Sequence, residues 1–229
     1  MTPNPASAAS THAGQAIYFP LTLAFYDLVV LRLSNNLIWR CPTRQILALY
    51  DRHVTDEHLD VGVGTGWYLD HCRFHSATPR VGLMDLNPSS LAAASRRIAR
   101  YRPEQYEADV LQPLTIAAAP FRSIALTYLL HCLPGSLAGK AIILDHLAPL
   151  LRRDGVVFGA TLLSEGIRRS RAARRLMRLY NRKGIFSNEA DSADALRSVL
   201  SERFTDVQVE LTGCGALFTA RGFKTSTVA

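Results

Sequence analysis

His58-Leu59-Asp60-Val61-Gly62-Val63-Gly64-Thr65-Gly66-Trp67 is the stretch on which the reading of this chain turns. A short apolar run of strand character ends in three glycines separated by single residues, and a helix-like stretch from Trp67 to His75 follows. Glycine has no Cβ and tolerates positive φ, so backbone there can approach a ligand closely while the amides opening the next helix point at it. The spacing is GxGxG, not the GxGxxG of dinucleotide folds. Asp60 lies inside the run, where its carboxylate would repel a phosphate but could pair with an ammonium group.

Outward from this stretch, strand-like and helix-like segments alternate. Pro79 to Asp85 reads as a second strand, followed by a helix from about Ser89 to Tyr101. Gln105 to Val110 reads as a third, Phe121 to Leu130 as a fourth, and a helix from Ala138 to Leu151 leads to a fifth over Val156 to Leu163. Near-continuous apolar strands alternating with helices predict a parallel α/β sheet buried on both faces. The last two runs, Thr205 to Glu210 and Ala216 to Ala220, flank Gly213-Cys214-Gly215 too closely for a crossover, so the sheet is expected to end antiparallel. Residues 1–16 are small and polar and read as disordered. Residues 17–55 read as a helical N-terminal segment broken at Pro20 and at Cys41-Pro42, and 56–229 as one core carrying a helical insert over 165–203.

Asp85 lies 19 residues after Gly66 at the end of the second strand, where an acid can accept both hydroxyls of a ribose. It could equally cap the helix beginning at Pro88, as could Asn87. Asp109 is placed at the end of the third strand, where it could accept an exocyclic amine of adenine beside Val110 and Leu111. An amine, a ribose and a purine in that order along neighbouring strand ends describe S-adenosylmethionine.

With Asp60-x-Gly62-x-Gly64-x-Gly66, Val81-Gly-Leu-Met-Asp85-Leu-Asn87-Pro88, Ala108-Asp109-Val110 and Phe121 to His131 in this order, the chain resembles the class I S-adenosylmethionine-dependent methyltransferases over roughly residues 45–220. The resemblance implies a Rossmann-like seven-stranded sheet with the last strand antiparallel. It implies S-adenosylmethionine as cofactor and S-adenosylhomocysteine as product. It also implies a cofactor site built from Asp60, Gly62, Gly64, Gly66, Asp85, Leu86, Asp109, Val110 and Thr127. The Asn/Asp-Pro-Pro-Tyr of the family's amino-directed enzymes is missing after the fourth strand, the Pro-Cys nucleophile of cytosine-C5 enzymes is missing, and no Asp-Asp-Asn metal set is recognisable. What is left is a small-molecule enzyme of secondary metabolism, methylating oxygen, nitrogen or a carboxylate of a small, lipophilic or aromatic metabolite. The alternatives are an RNA-directed enzyme or nucleic-acid-binding protein using the basic helix over 168–183, or a cofactor-binding member of the fold that transfers nothing.

His131, just past the fourth strand, is the candidate general base, or else a packing residue. His71, Cys72 and His75 share one short helix but lack a fourth ligand, so no metal is expected. The aromatics Tyr18, Phe19, Phe25, Tyr26 and Trp39 read as core or as a lid; Tyr18 and Tyr26 are the substrate candidates among them. Tyr180 and Phe186 in the insert are the candidates for stacking on the acceptor.

Composition narrows the class further. In 229 residues, 48% are hydrophobic and 20% charged, which excludes wholesale disorder. Four cysteines with no CxxC pair exclude a zinc ribbon and a disulfide scaffold. The first fifteen residues carry no Lys or Arg and no apolar run, so they do not read as a signal peptide. Ile17 to Leu31 is short for a membrane span and contains Pro20 and Asp27, so a cytoplasmic protein is expected. The net charge is +7. Eight cations and no acid fall between Arg168 and Lys183, and the rest of the chain carries 18 basic against 19 acidic residues. The excess therefore belongs to one segment of the insert, whose eight cations cannot all share one helical face. That segment is either solvated or a docking site for an anionic substrate, an acyl carrier protein or a membrane surface. No nucleic-acid partner is expected, and the oligomeric state is not legible.

Overall fold

The computed structural model of the chain describes residues 34–224. Tyr18, Phe19, Phe25 and Tyr26, with the 1–16 tail, lie outside the described residues. The chain runs through α1 (Thr43–His53), β1 (Glu57–Val61), α2 (Trp67–His71), β2 (Arg80–Asp85), α3 (Pro88–Arg97), β3 (Glu104–Glu107) and β4 (Phe121–Thr127). It continues with α4 (Leu137–Lys140), α5 (Ile142–Leu147), β5 (Leu151–Leu162), α6 (Arg171–Arg182), α7 (Ala193–Arg203), β6 (Phe204–Thr212) and β7 (Gly215–Phe223). Among the described residues no helix is long and apolar enough to cross a membrane.

The strands form one seven-stranded sheet in the order β3-β2-β1-β4-β5-β7-β6. β1 to β5 pair in parallel, while β7 runs antiparallel between β5 and β6. This is the expected architecture. β1, β2, β4 and the second half of β5 are buried on both faces, with alternate residues serving opposite layers, while the edge strand β3 is largely exposed. Val156, Phe158 and Ala160 pack with α1, α2 and α3 residues such as Ile46, Leu69 and Leu91. Val157, with Ile124 and Leu126 of β4, packs with α4, α5 and α7 residues such as Leu137, Ile143 and Leu196.

Boundaries differ from the expectation for local reasons. The helix expected over 138–151 is broken into α4, α5 and a 3₁₀ turn at Ala148–Leu150, where Pro149 lacks an N–H to continue the ladder. β3 stops at Glu107, short of Val110, because Asp109 opens a turn in which its own Oδ1 accepts the Leu111 N–H at 3.0 Å.

Chain order builds outward from β1 in one direction and from β4 in the other. The gap above the carboxyl ends of β1 and β4 is therefore the topological switch point, where open α/β sheets hold ligands. Residues 39–41 reach this edge across the β6–β7 turn. The Cys214 N–H donates to the Trp39 carbonyl at 2.7 Å, and a Cβ on Gly213 (φ +58°) would lie 2.3 Å from the Trp39 oxygen.

The insert is fastened to the same edge by a buried polar tie. Lys140 and Asp191 are almost fully buried, and Lys140 Nζ donates to Asp191 Oδ2 at 2.9 Å and to the Ser187 carbonyl. Asn188, also buried, donates to the Leu162 carbonyl and accepts from Asn181, both at 2.9 Å. Burial drives the Lys140 ammonium down and the Asp191 carboxyl up, each opposed by its partner. Removing one charge strands the other in low dielectric, which typically costs about 3–5 kcal/mol, whereas replacing both together is far milder. K140M should accordingly lose stability in that range by urea denaturation, and K140M/D191L should recover most of it. A double variant no more stable than K140M would exclude the charge-pair account.

Candidate active site

β1 ends in a backbone that turns left-handed at every second residue: Gly62, Gly64 and Gly66 have φ of +73°, +52° and +71°. Each has a separate reason to be glycine. Gly62 donates to the Met84 carbonyl at 2.8 Å, and a Cβ there would meet Leu129 Cδ1, just past β4, at 3.0 Å. Gly66 caps α2, and its Cβ would press on the Ala94 backbone of α3 at 3.0 Å. Nothing lies within 4 Å of the position a Gly64 Cβ would take. The middle of the loop thus faces open space and its ends are held by neighbouring elements, the form of a cradle for a ligand.

Asp60 is buried at the end of β1, and its Oδ2 accepts the Tyr50 hydroxyl at 2.8 Å. Burial, then the Asp60 charge, push the Tyr50 pKa well above its usual value, so the phenol stays a donor. His58 Nε2 lies 3.8 Å from the same oxygen. A carboxylate has about four acceptor sites, and the Tyr50 bond uses one, leaving acceptor capacity for a cation at the loop.

Asp85 closes β2 and is partly buried against the glycine loop. Its carboxylate accepts the Asn87 N–H at 2.9 Å and lies within reach of the Gly64 and Val63 amides. Desolvation outweighs those bonds and raises its pKa to about 6. It is not the cap of α3: Asn87 is, accepting the Ser89 N–H at 2.9 Å with Pro88 in the first turn. Leu86 follows Asp85 and is partly buried. Asp109 stands two residues beyond the end of β3 rather than at it, in the turn described above, and the buried Val110 holds His146 Nδ1 on its carbonyl at 2.9 Å. Thr127, buried, ends β4. Asp60, the three glycines, Asp85, Leu86, Asp109, Val110 and Thr127 therefore all fall at the carboxyl ends of β1 to β4 or in the loops that follow.

Across the switch point lies an aromatic wall. Tyr128 is the residue after β4 and adopts a left-handed backbone, φ +60°, unusual for a bulky side chain. Its hydroxyl donates to Asn35 Oδ1 at 3.1 Å. The His131 ring sits edge-on to Tyr128 and to Phe186, with centroids 5.4 and 4.6 Å away. Phe186 in turn meets Tyr180 at 4.9 Å and Trp39 at 6.2 Å. The insert residues Phe186 and, through it, Tyr180 are thus brought to His131. Tyr50, Asn35 and Tyr128 have no sequence signature; only the fold brings them to the edge.

His131 is buried, and desolvation, with the Lys140 charge nearby, lowers its pKa to about 3. Its Nδ1 accepts the Leu162 N–H at 3.2 Å and lies 3.3 Å from Thr161 Oγ1. In the neutral ring that acceptor role puts the proton on Nε2. His71 stacks on Trp67 at 3.9 Å and Cys72 is buried, its thiol turned to the Leu69 carbonyl. Among the described residues no three His, Cys, Asp or Glu side chains gather as a metal site.

Comparison with known proteins bears on this edge. Residues 59–157 match the family described as "Methyltransferase domain". The chain is 40% identical over 207 residues to demethylluteothin O-methyltransferase of Streptomyces thioluteus, across 90% of each chain. It is 38% identical over 212 residues to the physcion biosynthesis cluster O-methyltransferase of Aspergillus chevalieri, across 92% of this chain and 95% of that one. In fold it is similar to the DhpI–SAH complex, with a TM-score of 0.66 at 13% identity over 96% of this chain and 100% of that one.

Three outcomes are expected. G66A forces an alanine into left-handed backbone against Ala94 and should cost about 1–3 kcal/mol in urea denaturation. G64A meets no protein atom, so it should cost only the left-handed penalty while weakening S-adenosylhomocysteine binding by calorimetry; retained affinity would place the ligand elsewhere. Protonating Asp85 removes an acceptor, so affinity should fall about tenfold between pH 7 and pH 5. D85N should flatten that dependence.

Proposed function

The chain belongs to the class I S-adenosylmethionine-dependent methyltransferases, and we propose that it methylates a hydroxyl oxygen of a small aromatic or lipophilic metabolite. The observation that carries this reading is the cluster of Tyr128, His131, Phe186 and Trp39 gathered at the carboxyl ends of β4 and β5, the same edge of the sheet as the glycine loop. Aromatic faces and edges of this kind suit a flat acceptor. Two relatives that match nine-tenths of the chain are named O-methyltransferases, which favours oxygen over nitrogen or a carboxylate.

The residues present fit the cofactor. Asp60, beside the open Gly64, would take the methionine ammonium, and Asp85 the ribose hydroxyls. Val110 and Leu86 would flank the adenine, Asp109 would accept its amine, and Thr127 would close the floor at the end of β4. When bound, S-adenosylmethionine supplies a methyl group activated by a sulfonium, and its transfer requires chiefly that the nucleophile be held in line.

What the chain adds is orientation. His131 is neutral at physiological pH, its Nδ1 lone pair is engaged by Leu162, and burial beside Lys140 opposes formation of an imidazolium. A group with these properties is a poor general base and a good hydrogen-bond donor through Nε2. We therefore give His131 a positioning role: it holds a carbonyl or hydroxyl of the acceptor, and an already acidic phenol or enol gives its proton to solvent. The Tyr128–Asn35 bond, with Trp39 beside Phe186, brings the 34–41 segment to the same wall. Tyr18 and Tyr26, on the preceding stretch, remain proposed acceptor contacts.

Turnover of a phenolic acceptor should follow the acceptor's own ionisation. H131N should lower kcat/KM by about tenfold and leave the shape of the pH profile between about pH 5 and pH 9 unchanged. A wild-type limb near pH 6.5 that disappears in H131N would instead make His131 the base.

A further inference from the structure

The cationic segment has a geometry that the sequence does not show. α6 begins at Arg171, where the Ser170 hydroxyl accepts the Ala173 N–H at 3.1 Å. From that start, at about 100° per residue, Arg171, Arg174, Arg175, Arg178 and Arg182 fall within an arc of about 100°. All five are exposed, and none makes an ion pair with a described residue. The opposite face, with Ala173 and Met177 buried and Tyr180 against Phe186, packs on the body of the protein. Five arginines thus point directly away from the core in a row about 17 Å long. Between this row and the chain after it runs an open groove of about 470 Å³, lined by Arg175, Arg178, Arg182 and Glu189.

We propose that this row docks an acidic helix of a small carrier protein that delivers the acceptor. The inference rests on the reading above that the acceptor meets Tyr180 and Phe186, since α6 carries the arginines on its outside and Tyr180 on its inside. Four features favour a protein partner over a lipid surface. The row is straight and helix-length, and its guanidinium forks match carboxylates two at a time. The groove is concave, which takes a ridge of side chains but not a flat bilayer. Glu189 in the groove would repel a layer of anionic headgroups, yet pairs with a single cation on a protein and so sets register. The large exposed apolar side chains among the described residues, Leu37, Ile142 and Leu211, lie on other elements, so no apolar anchor flanks the row.

The test measures binding of the full chain to a purified bacterial acyl carrier protein, an acidic helical carrier, by surface plasmon resonance across salt. Phosphatidylserine vesicles serve as the second probe, and S-adenosylhomocysteine calorimetry reports the integrity of the cofactor site. Expected is carrier binding that weakens steeply with salt and falls at least tenfold in R175E/R178E/R182E, with cofactor affinity and melting temperature unchanged. No carrier binding at low salt, equal binding by the triple variant, or capture by vesicles but not by the carrier would each overturn the proposal. If S-adenosylhomocysteine binds while the carrier does not, the docking fails alone; if neither binds, the methyltransferase site itself is in question.

Discussion

The end of β1 has to turn left-handed three times in five residues, and the site depends on that constraint. Only glycine does this without strain, and each of the three turns is held by something different. Gly62 is fixed by its bond to β2 and by the close approach of Leu129, Gly66 by α2 and the backbone of α3. Gly64, with open space where a Cβ would lie, presents its amide toward Asp85. The loop therefore ties β1 and β2 to the chain that leaves β4 and leaves one concave edge open. Bulk at either end would push apart elements that both layers of the core require.

Around that loop the protein tolerates polar burial that a purely structural core would avoid. Asp60 lies in the layer with Tyr50, His58 and Phe158, and the tyrosine hydroxyl is what makes its burial tolerable. Lys140, Asp191 and Asn188 do the same for the insert, satisfying carbonyls at the end of β5 and in the 187–191 loop. These polar clusters flank the crevice from opposite sides. Their directional bonds set the relative position of α1, the sheet and the insert more narrowly than apolar contact alone would.

Much of this was legible beforehand. The glycine spacing, the carboxylates Asp60 and Asp85 at the ends of the first two strands, and the final hairpin are local patterns, and these stand where the sequence places them. What escaped depends on partners far apart in the chain. Lys140 gives no sign that Asp191 awaits it, and nothing local shows that the Leu162 N–H engages His131 Nδ1. Asp109 was misplaced at a strand end because an Asx turn and a strand terminus look alike in sequence. The arginines changed meaning through a single boundary: once Ser170 fixes where the helix starts, five of them fall on one face. Tyr128 carries no hint at all, because left-handed backbone at an aromatic residue is imposed by the surrounding fold.

The hydrogen bond from Tyr50 to Asp60 also orders events in time. Tyr50 belongs to the first helix described, yet its ring rests on Phe158, centroids 5.1 Å apart, and β5 is made roughly a hundred residues later. A chain leaving the ribosome carries Asp60 and the glycine loop long before it can seat the tyrosine that orients the carboxylate. The seat of Tyr50 against Asp60 is thus complete only when β5 is in place, which couples the glycine loop to the far half of the sheet.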